Sequence, residues 1–200
     1  MIAVVGAFDE NGVYGIGSHM PWEDENGRSG IRYDTGRFLY ITRETAPQGK
    51  RNVLIAGRRT AETLGMRPLP GRRMVVVSRT LHEDEVNAGR GEEESITVAH
   101  GLSAAMEKAL AFEDCGHVFF IGGYEVWQRA LAFQLCTHAF ITVIRCNTVA
   151  RSIYKGDCHR APDMLLAATF GGMDLVDSVT IVDSWGESEV ELEFRNYARA

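Results

Sequence analysis

Gly57-Arg58-Arg59-Thr60 directly follows the apolar run Asn52–Ala56, and Arg79 follows Ser78 at the end of the β-branched run Met74–Ser78. Guanidiniums gathered at two strand ends make a phosphate site, because each presents a planar fork of donors to anionic oxygens. A helix opening after Gly57 would add its N-terminal N–H groups. Arginines that merely start surface loops are the competing reading. The clustering of positive charge in an acidic chain favours the site, since the net charge is -6, with 21 Lys+Arg against 27 Asp+Glu.

Ile121-Gly122-Gly123 closes another apolar run. Paired glycines there allow close backbone approach to a ligand, although a tight strand-to-helix turn explains them equally simply. It is not the G-x-G-x-x-G fingerprint. Met20-Pro21-Trp22 follows the glycines Gly15 and Gly17. That pattern is a mobile lid with apolar surface for a planar ligand, or a tryptophan that anchors a loop. Asp34 shares a helical face with Phe38 and Ile41 by i, i+4, i+7 spacing. An acid on such a stripe needs a partner, and burial would raise its pKa into a range useful for proton chemistry. An aspartate near a helix start is also a favourable cap, so local spacing leaves both readings open.

Other chemistries are excluded. There is no G-x-S-x-G nucleophile elbow, and His100, His117 and His138 lack metal-ligand spacing. Cys115, Cys136, Cys146 and Cys158 form no C-x-x-C pair and read as reduced thiols in a cytosol-like compartment. The net negative charge argues against a nucleic-acid surface. No apolar run approaches the roughly 18 residues of a membrane span. The N-terminus, apolar from Ile2 with acids at Asp9 and Glu10, reads as a strand and not a signal peptide.

The elements that must position these residues alternate between strand and helix. Strands are expected at 2–8, 52–56, 74–78, 96–98, 118–121 and 137–144, and a half-buried hairpin at 174–182 and 190–197. Helices are expected at 31–43, after an N-cap at Thr60 and ending by Gly65, at 102–112, and from Gly123 to about Ala132. Residues 15–19, 80–95 and 145–163 read as loops, the second as mobile, and 23–30 and 44–51 as polar insertions. The order is α/β, a mainly parallel sheet finished by an antiparallel hairpin, in one domain spanning 1–200.

In this order the motifs resemble the dihydrofolate reductase family. They run from Ala7 through Val13-Tyr14-Gly15, Met20-Pro21-Trp22, the acid-bearing helix and Gly57-Arg58-Arg59-Thr60. They continue with Pro68-Leu69-Pro70-Gly71-Arg72, Ile121-Gly122-Gly123, Thr142 and Gly156-Asp157. The resemblance implies an eight-stranded mixed sheet flanked by about four helices. It implies reduction of 7,8-dihydrofolate to tetrahydrofolate by NADPH, with hydride transfer to pterin C6 and protonation at N5 through water. Asp34 would bind pterin N3 and the 2-amino group, with Thr142 bonded to it and Trp22 beside it. Arg58, Arg59, Ser78 and Arg79 would take the 2′-phosphate, and Thr60 after Gly57 the pyrophosphate. Ala7, Gly15, Ile16, Ile121, Gly122, Gly123, Tyr124, Glu125 and Val126 would complete the cofactor contacts, with a cis bond between Gly122 and Gly123. Arg72 would grip the folate α-carboxylate, Leu64 and Leu69 the aminobenzoyl group. Val5, Met20, Phe38 and Ile121 would surround the pterin. The implied protein is a cytoplasmic monomer binding a small molecule, with no metal, nucleic acid or membrane.

The sequence departs from the family pattern in the spacing of its acid. About seven inserted residues separate Trp22 from the helix, so Asp24 and Glu25 are rivals to Asp34, which Phe38 at i+4 and Thr42 at i+8 favour. Cys158 replaces a common threonine, and Trp127 a common tyrosine. Two rival readings remain: a riboflavin-pathway pyrimidine reductase, which shares fold and cofactor but would not need Met20-Pro21-Trp22 with the acid helix or Arg72 after Pro-Leu-Pro-Gly, and a non-catalytic folate-binding or structural protein, which the insertions at 23–30 and 44–51 leave open.

Overall fold

The computed structural model describes residues 1–17, 19–23, 30–145, 158–160, 169–185 and 188–200. Asp24, Glu25, Cys146 and Gly156-Asp157 lie outside them. The chain forms two compact units, Met1–Val5 with Leu39–Cys136, and Gly6–Phe38 with Thr137–Ala200. Strand β1 (Ile2–Asp9) runs through both.

In the first unit the strands lie in the order β5-β4-β3-β6-β1, comprising β3 (Arg51–Gly57), β4 (Arg72–Val77), β5 (Thr97–Ala99) and β6 (Cys115–Gly122). Every pairing among them is parallel. Parallel strands are covered on both faces and so read as continuous apolar runs; Val53–Ala56 and Phe119–Phe120 are fully buried. The covering helices are amphipathic. Helix α4 (Leu102–Ala111) buries Leu102, Ala105, Met106 and Ala109, and α5 (Tyr124–Ala132) buries Val126, Trp127, Ala130 and Leu131. Both sets repeat at three and four residues, one helical face.

Three local expectations change here. Helix α2 spans Arg58–Thr63 with Gly57 as its N-cap, so Thr60 lies in its first turn. Strand β3 runs straight into the helix and leaves no separate capping residue. Residues 80–95 are ordered, with α3 (Glu83–Val86) and a 3-10 turn at Glu92–Glu94. Side chains hold them: Asn87 exchanges hydrogen bonds of 2.8 and 2.9 Å with the Ile96 backbone, and Glu83 accepts the Val98 N–H at 2.7 Å. Composition alone shows polar residues, not the bonds they make. The helix expected over 31–43 is α1 (Arg32–Leu39), continued by a π-helical turn over Tyr40–Glu44. The wider turn breaks the 3.6-residue register beyond Leu39.

The second unit has the order β1-β7-β11-β10-β9, with β7 (His138–Arg145), β9 (Thr169–Phe170), β10 (Met173–Trp185) and β11 (Ser188–Ala198). The pairs β7/β11, β11/β10 and β10/β9 are antiparallel. Val13–Ile16, expected to pass into loop at Gly15, is strand β2, paired with β8 (Cys158–Arg160). Ile16 and His19 exchange backbone bonds of 2.8 and 3.1 Å. This pairing joins distant segments, so local composition does not show it. Trp22, Ile31, Ile144, Val190 and Leu192 form the buried cluster of this unit. The mixed sheet with its antiparallel end is as expected, with the two-residue β9 and the β2/β8 pair in addition.

Glu193 of β11 is tied down by four donors. Arg195 gives two hydrogen bonds of 2.7 and 2.8 Å, Arg145 one of 2.6 Å and Ser178 one of 3.2 Å. Hydrogen bonds from Arg195, then Arg145, hold its pKa down at about 2 against the opposing effect of desolvation. A carboxylate depressed on folding contributes stability above its unfolded pKa, and that contribution is lost as pH falls through the folded value. Urea midpoints of the protein should therefore fall between pH 4.5 and about 2, and Glu193→Gln should flatten that slope. An unchanged slope would remove Glu193 from the acid transition.

Candidate active site

Strand register builds the first group of functional residues. Gly57 is paired with Val77, and Ala56 with Gly122. The C-terminal ends of β4, β3 and β6 therefore stop side by side in the first unit. Ser78-Arg79, Arg58-Arg59-Thr60 and Gly122-Gly123 follow them. Arg58, Arg59 and Arg79 are exposed. Ser78 is buried, and its hydroxyl accepts the Thr80 and Leu81 N–H groups at 3.2 Å, so it shapes the loop that carries Arg79. The Gly122–Gly123 bond is cis, and Gly122 has φ +123°. A Cβ on Gly57 would lie 3.4 Å from Gly123 N, and one on Gly123 would lie 3.5 Å from Thr60 Oγ1. Gly57 thus packs against the Gly123 backbone, and Gly123 against the Thr60 hydroxyl. Val126 is buried in α5, while Glu125 is exposed and Tyr124 half-buried.

Arg72 opens β4 and is buried. It donates to Thr42 Oγ1 at 2.8 Å and to the Pro70 carbonyl at 3.2 Å. Asn52 holds Thr42 in turn, donating to its carbonyl at 3.1 Å. Burial, reinforced by the Arg43 charge and opposed by Glu44, brings Arg72 down to about 10. A cation so poorly solvated gains strongly from a carboxylate ligand. Leu64 and Leu69 are half-buried in the connection leading to it, and Val5 and Ile121 are buried in β1 and β6.

The second unit carries the acid. Gly30 donates its N–H to the Trp22 carbonyl at 3.2 Å. The chain thus leaves Trp22 and returns to it before α1 begins, which closes the base of the insertion. Asp34 sits in the first turn of α1. Part of its surface is open, but protein crowds the carboxyl closely. Burial raises its pKa above the usual carboxylate range, opposed by a hydrogen bond from Thr142 and by the Arg37 charge. Trp22 is buried, and its Nε1 has no acceptor among the described residues. Phe38 and Ala7 are half-buried, Gly15 is buried, Ile16 is half-buried and Met20 is exposed.

Asp34 and Thr142 are thus brought together in the second unit. Arg37 was missed: its position three residues after Asp34 on a helix was the available signal. The stripe of α1 that carries Asp34 is not otherwise apolar, because it also carries the cation Arg37. Among the described residues no group of three or more His, Cys, Asp or Glu could hold a metal ion.

Comparison with known proteins agrees with this geometry. The sequence profile of the family described as dihydrofolate reductase matches residues 1–159. The chain is similar to the dihydrofolate reductase of Neisseria gonorrhoeae, with 37% identity over 109 residues, 54% of this chain and 57% of that protein. It is similar to dihydrofolate reductase type 3 of Salmonella typhimurium, at 33% over 127 residues, 64% of this chain and 62% of that one. The Drosophila melanogaster enzyme is 28% identical over 160 residues, 77% of this chain and 81% of that one. The chain thus spans less than two thirds of the length of the two bacterial relatives. A solved structure, dihydrofolate reductase from Enterococcus faecalis complexed with NADP(H) and RAB-propyl, shares the fold. Its TM-score is 0.65 at 24% identity, covering 100% of this chain and 96% of that one.

The glycine at the end of β6 can be tested directly. A Cβ on Gly122 would lie 3.2 Å from Trp127 Cζ2, at a backbone φ that L side chains rarely adopt. Gly122→Ala should cost about 1–3 kcal/mol in urea unfolding. Gly36→Ala, in α1 with nothing within 4 Å of the new Cβ, should instead stabilise by about 0.5–1 kcal/mol. Equal effects at the two positions would contradict the packing described.

Proposed function

The chain belongs to the dihydrofolate reductase family, and from that membership we propose that it reduces 7,8-dihydrofolate to 5,6,7,8-tetrahydrofolate with NADPH. The observation that carries this reading is the acid of the second unit. Asp34 is a crowded carboxylate whose ionisation Thr142 and Arg37 favour, on a helix that starts where the insertion after Trp22 closes. The Gly30–Trp22 hydrogen bond, which closes the insertion before α1, supports reading Asp34 as the acid that the family pattern places after the tryptophan.

The residues at the three strand ends fit a dinucleotide carrying a 2′-phosphate. Gly122, at a positive φ and with Trp127 3.2 Å from where a Cβ would lie, keeps the turn after β6 compact beside Gly57 and Gly123. Arg58, Arg59 and Arg79 would hold the 2′-phosphate through charge-assisted hydrogen bonds, with Ser78 shaping their loop. Thr60, Gly122 and Gly123 would meet the pyrophosphate, and Ile121, Tyr124, Glu125 and Val126 would flank it. Ala7, Gly15 and Ile16 are assigned to the cofactor from the resemblance. NADPH, when bound, supplies the hydride that reduces pterin C6.

This chain's residues do the binding and the proton work. Asp34 accepts hydrogen bonds from pterin N3–H and the 2-amino group, and so orients the ring. A carboxylate held at N3 does not reach N5, so the N5 proton comes through water. The buried Trp22 Nε1 would gain an acceptor from a ligand or water oxygen. From the resemblance, Val5, Met20, Phe38 and Ile121 are assigned to the pterin, and Leu64 and Leu69 to the aminobenzoyl group. Arg72 binds the α-carboxylate. The same reading makes the protein a cytoplasmic monomer. Among the described residues, no helix is long and apolar enough to cross a membrane.

Spectrophotometric loss of NADPH in the presence of dihydrofolate tests the proposal. Turnover is expected with dihydrofolate. Turnover only with a ribityl-pyrimidine would favour the riboflavin-pathway alternative, and antifolate binding without turnover the binding-protein one. Asp34→Asn should keep NADPH affinity and lose most activity, while Asp24→Asn and Glu25→Gln stay near wild type. Removing any one of Arg58, Arg59 or Arg79 should weaken NADPH about tenfold or more and leave NADH unaffected. Equal use of both cofactors by the wild type would sink the phosphate assignment.

A further inference from the structure

Arg37 lies one helical turn after Asp34 on α1. Its guanidinium is spread across three acceptors. Nη1 donates to Thr142 Oγ1 at 3.1 Å, and Nη2 donates to Asn196 Oδ1 at 2.7 Å and to the Arg195 carbonyl at 3.2 Å. The plane lies over the Phe194 ring, 4.8 Å from its centroid. Asn196 is itself held, donating to Asp177 Oδ2 at 3.1 Å. Thr142 pairs with Phe194 across β7 and β11, so all these groups lie on the face of the strands that meets α1.

We propose that Arg37 is the positioning residue of the acid site: it fixes the Thr142 hydroxyl as a donor to Asp34 and keeps the carboxylate ionised. The inference deepens the reductase reading and rests on it for its meaning in catalysis. A threonine hydroxyl has one hydrogen and rotates freely unless something chooses its direction. Once Oγ1 accepts the Arg37 N–H, its own hydrogen is left for the carboxylate. The fork then does two things for Asp34: it sets the donor and adds a positive charge beside it. Both favour the charged form, against the desolvation that favours the neutral one. Arg37 suits this task because its fork grips several acceptors at once, which a lysine ammonium does less rigidly.

The other charged groups near this face are already engaged. Asp177 of β10 faces Arg37 through Asn196. Asp183 of β10 accepts the Tyr33 N–H at the start of α1, at 2.9 Å. Glu193 and Arg195 of β11 alternate to the opposite face and pair with each other at 2.7 Å. His138, four residues before Thr142 on β7, hydrogen-bonds the Thr137 hydroxyl at 2.9 Å. Among the described residues, Arg37 supplies the positive charge acting on Asp34.

The test is a pH titration of the Asp34 carboxyl carbon by NMR in the ligand-free protein, with its resonance identified by its loss in Asp34→Asn. Arg37→Met should raise the Asp34 midpoint by about one unit or more, leaving about tenfold less carboxylate at pH values below both midpoints. Arg37→Lys, which keeps the charge without the fork, should fall between the two. The pH profile of kcat/KM for dihydrofolate should move in the same direction. An Asp34 midpoint unchanged in Arg37→Met overturns the proposal. Should that variant fail to fold, an Arg37→Lys midpoint equal to wild type overturns it. Absence of turnover in the wild type would sink the reductase reading and leave the titration result to decide the role of Arg37.

Discussion

The register of β3 against its two parallel neighbours is the constraint on which the first unit depends. Gly57 opposite Val77, and Ala56 opposite Gly122, make three strands end in line. A slip of one residue would turn every side chain of β3 to the other face. In one direction it would draw Arg58 into the strand, and it would separate Gly57 from the backbone of Gly123. The apolar runs make such slips unfavourable because both faces are covered, so any change in register disturbs packing on each side. A polar strand-end cluster is therefore placed by apolar packing several residues away. The arginines need no mutual attraction, and like charges would resist it; the strands bring them there.

Much of this architecture was readable from residue types because parallel, buried strands announce themselves. The runs ending at Ala56, Ser78 and Ile121 were bounded to within a residue or two by glycine and arginine, residues that do not continue an apolar strand. Partnership was less readable. Val13–Ile16 is a strand only because Cys158–Arg160 pairs with it, and nothing local in Val-Tyr-Gly-Ile declares a partner so far along the chain. The order in residues 80–95 comes from single side chains such as Asn87 and Glu83 bonding backbone, which composition hides. Thr60 looked like a cap because threonine commonly is one, but the chain enters α2 directly from Gly57. At the acid site Asp34 and Thr142 were legible as residue types. Arg37 was not, because an exposed-looking arginine on a polar helix is ordinary until Thr142 and Asn196 are seen beneath it.

The acid site also opposes the stability of the fold that carries it. Burial raises the pKa of Asp34. A carboxyl whose pKa rises on folding is best accommodated when protonated. Its contribution is fully present below the unfolded pKa and is lost as pH rises through the folded value. Glu193, in the same unit, behaves in the opposite sense, because Arg195 and Arg145 depress it. Both carboxylates have arginine neighbours, so charge alone does not separate them. Burial and hydrogen bonding do: desolvation dominates at Asp34, whose nearest arginine fork is spent on Thr142, Asn196 and the Arg195 carbonyl, whereas Glu193 receives three direct guanidinium bonds. A direct bidentate pair would stabilise the unit further and would also occupy the oxygens of Asp34 that a ligand needs. Routing the guanidinium through Thr142 leaves acceptor capacity on the carboxylate while keeping a positive charge near it. On the proposed reading, a carboxylate that must stay available to a ligand is incompletely compensated within the protein, and the pterin would supply the missing partners.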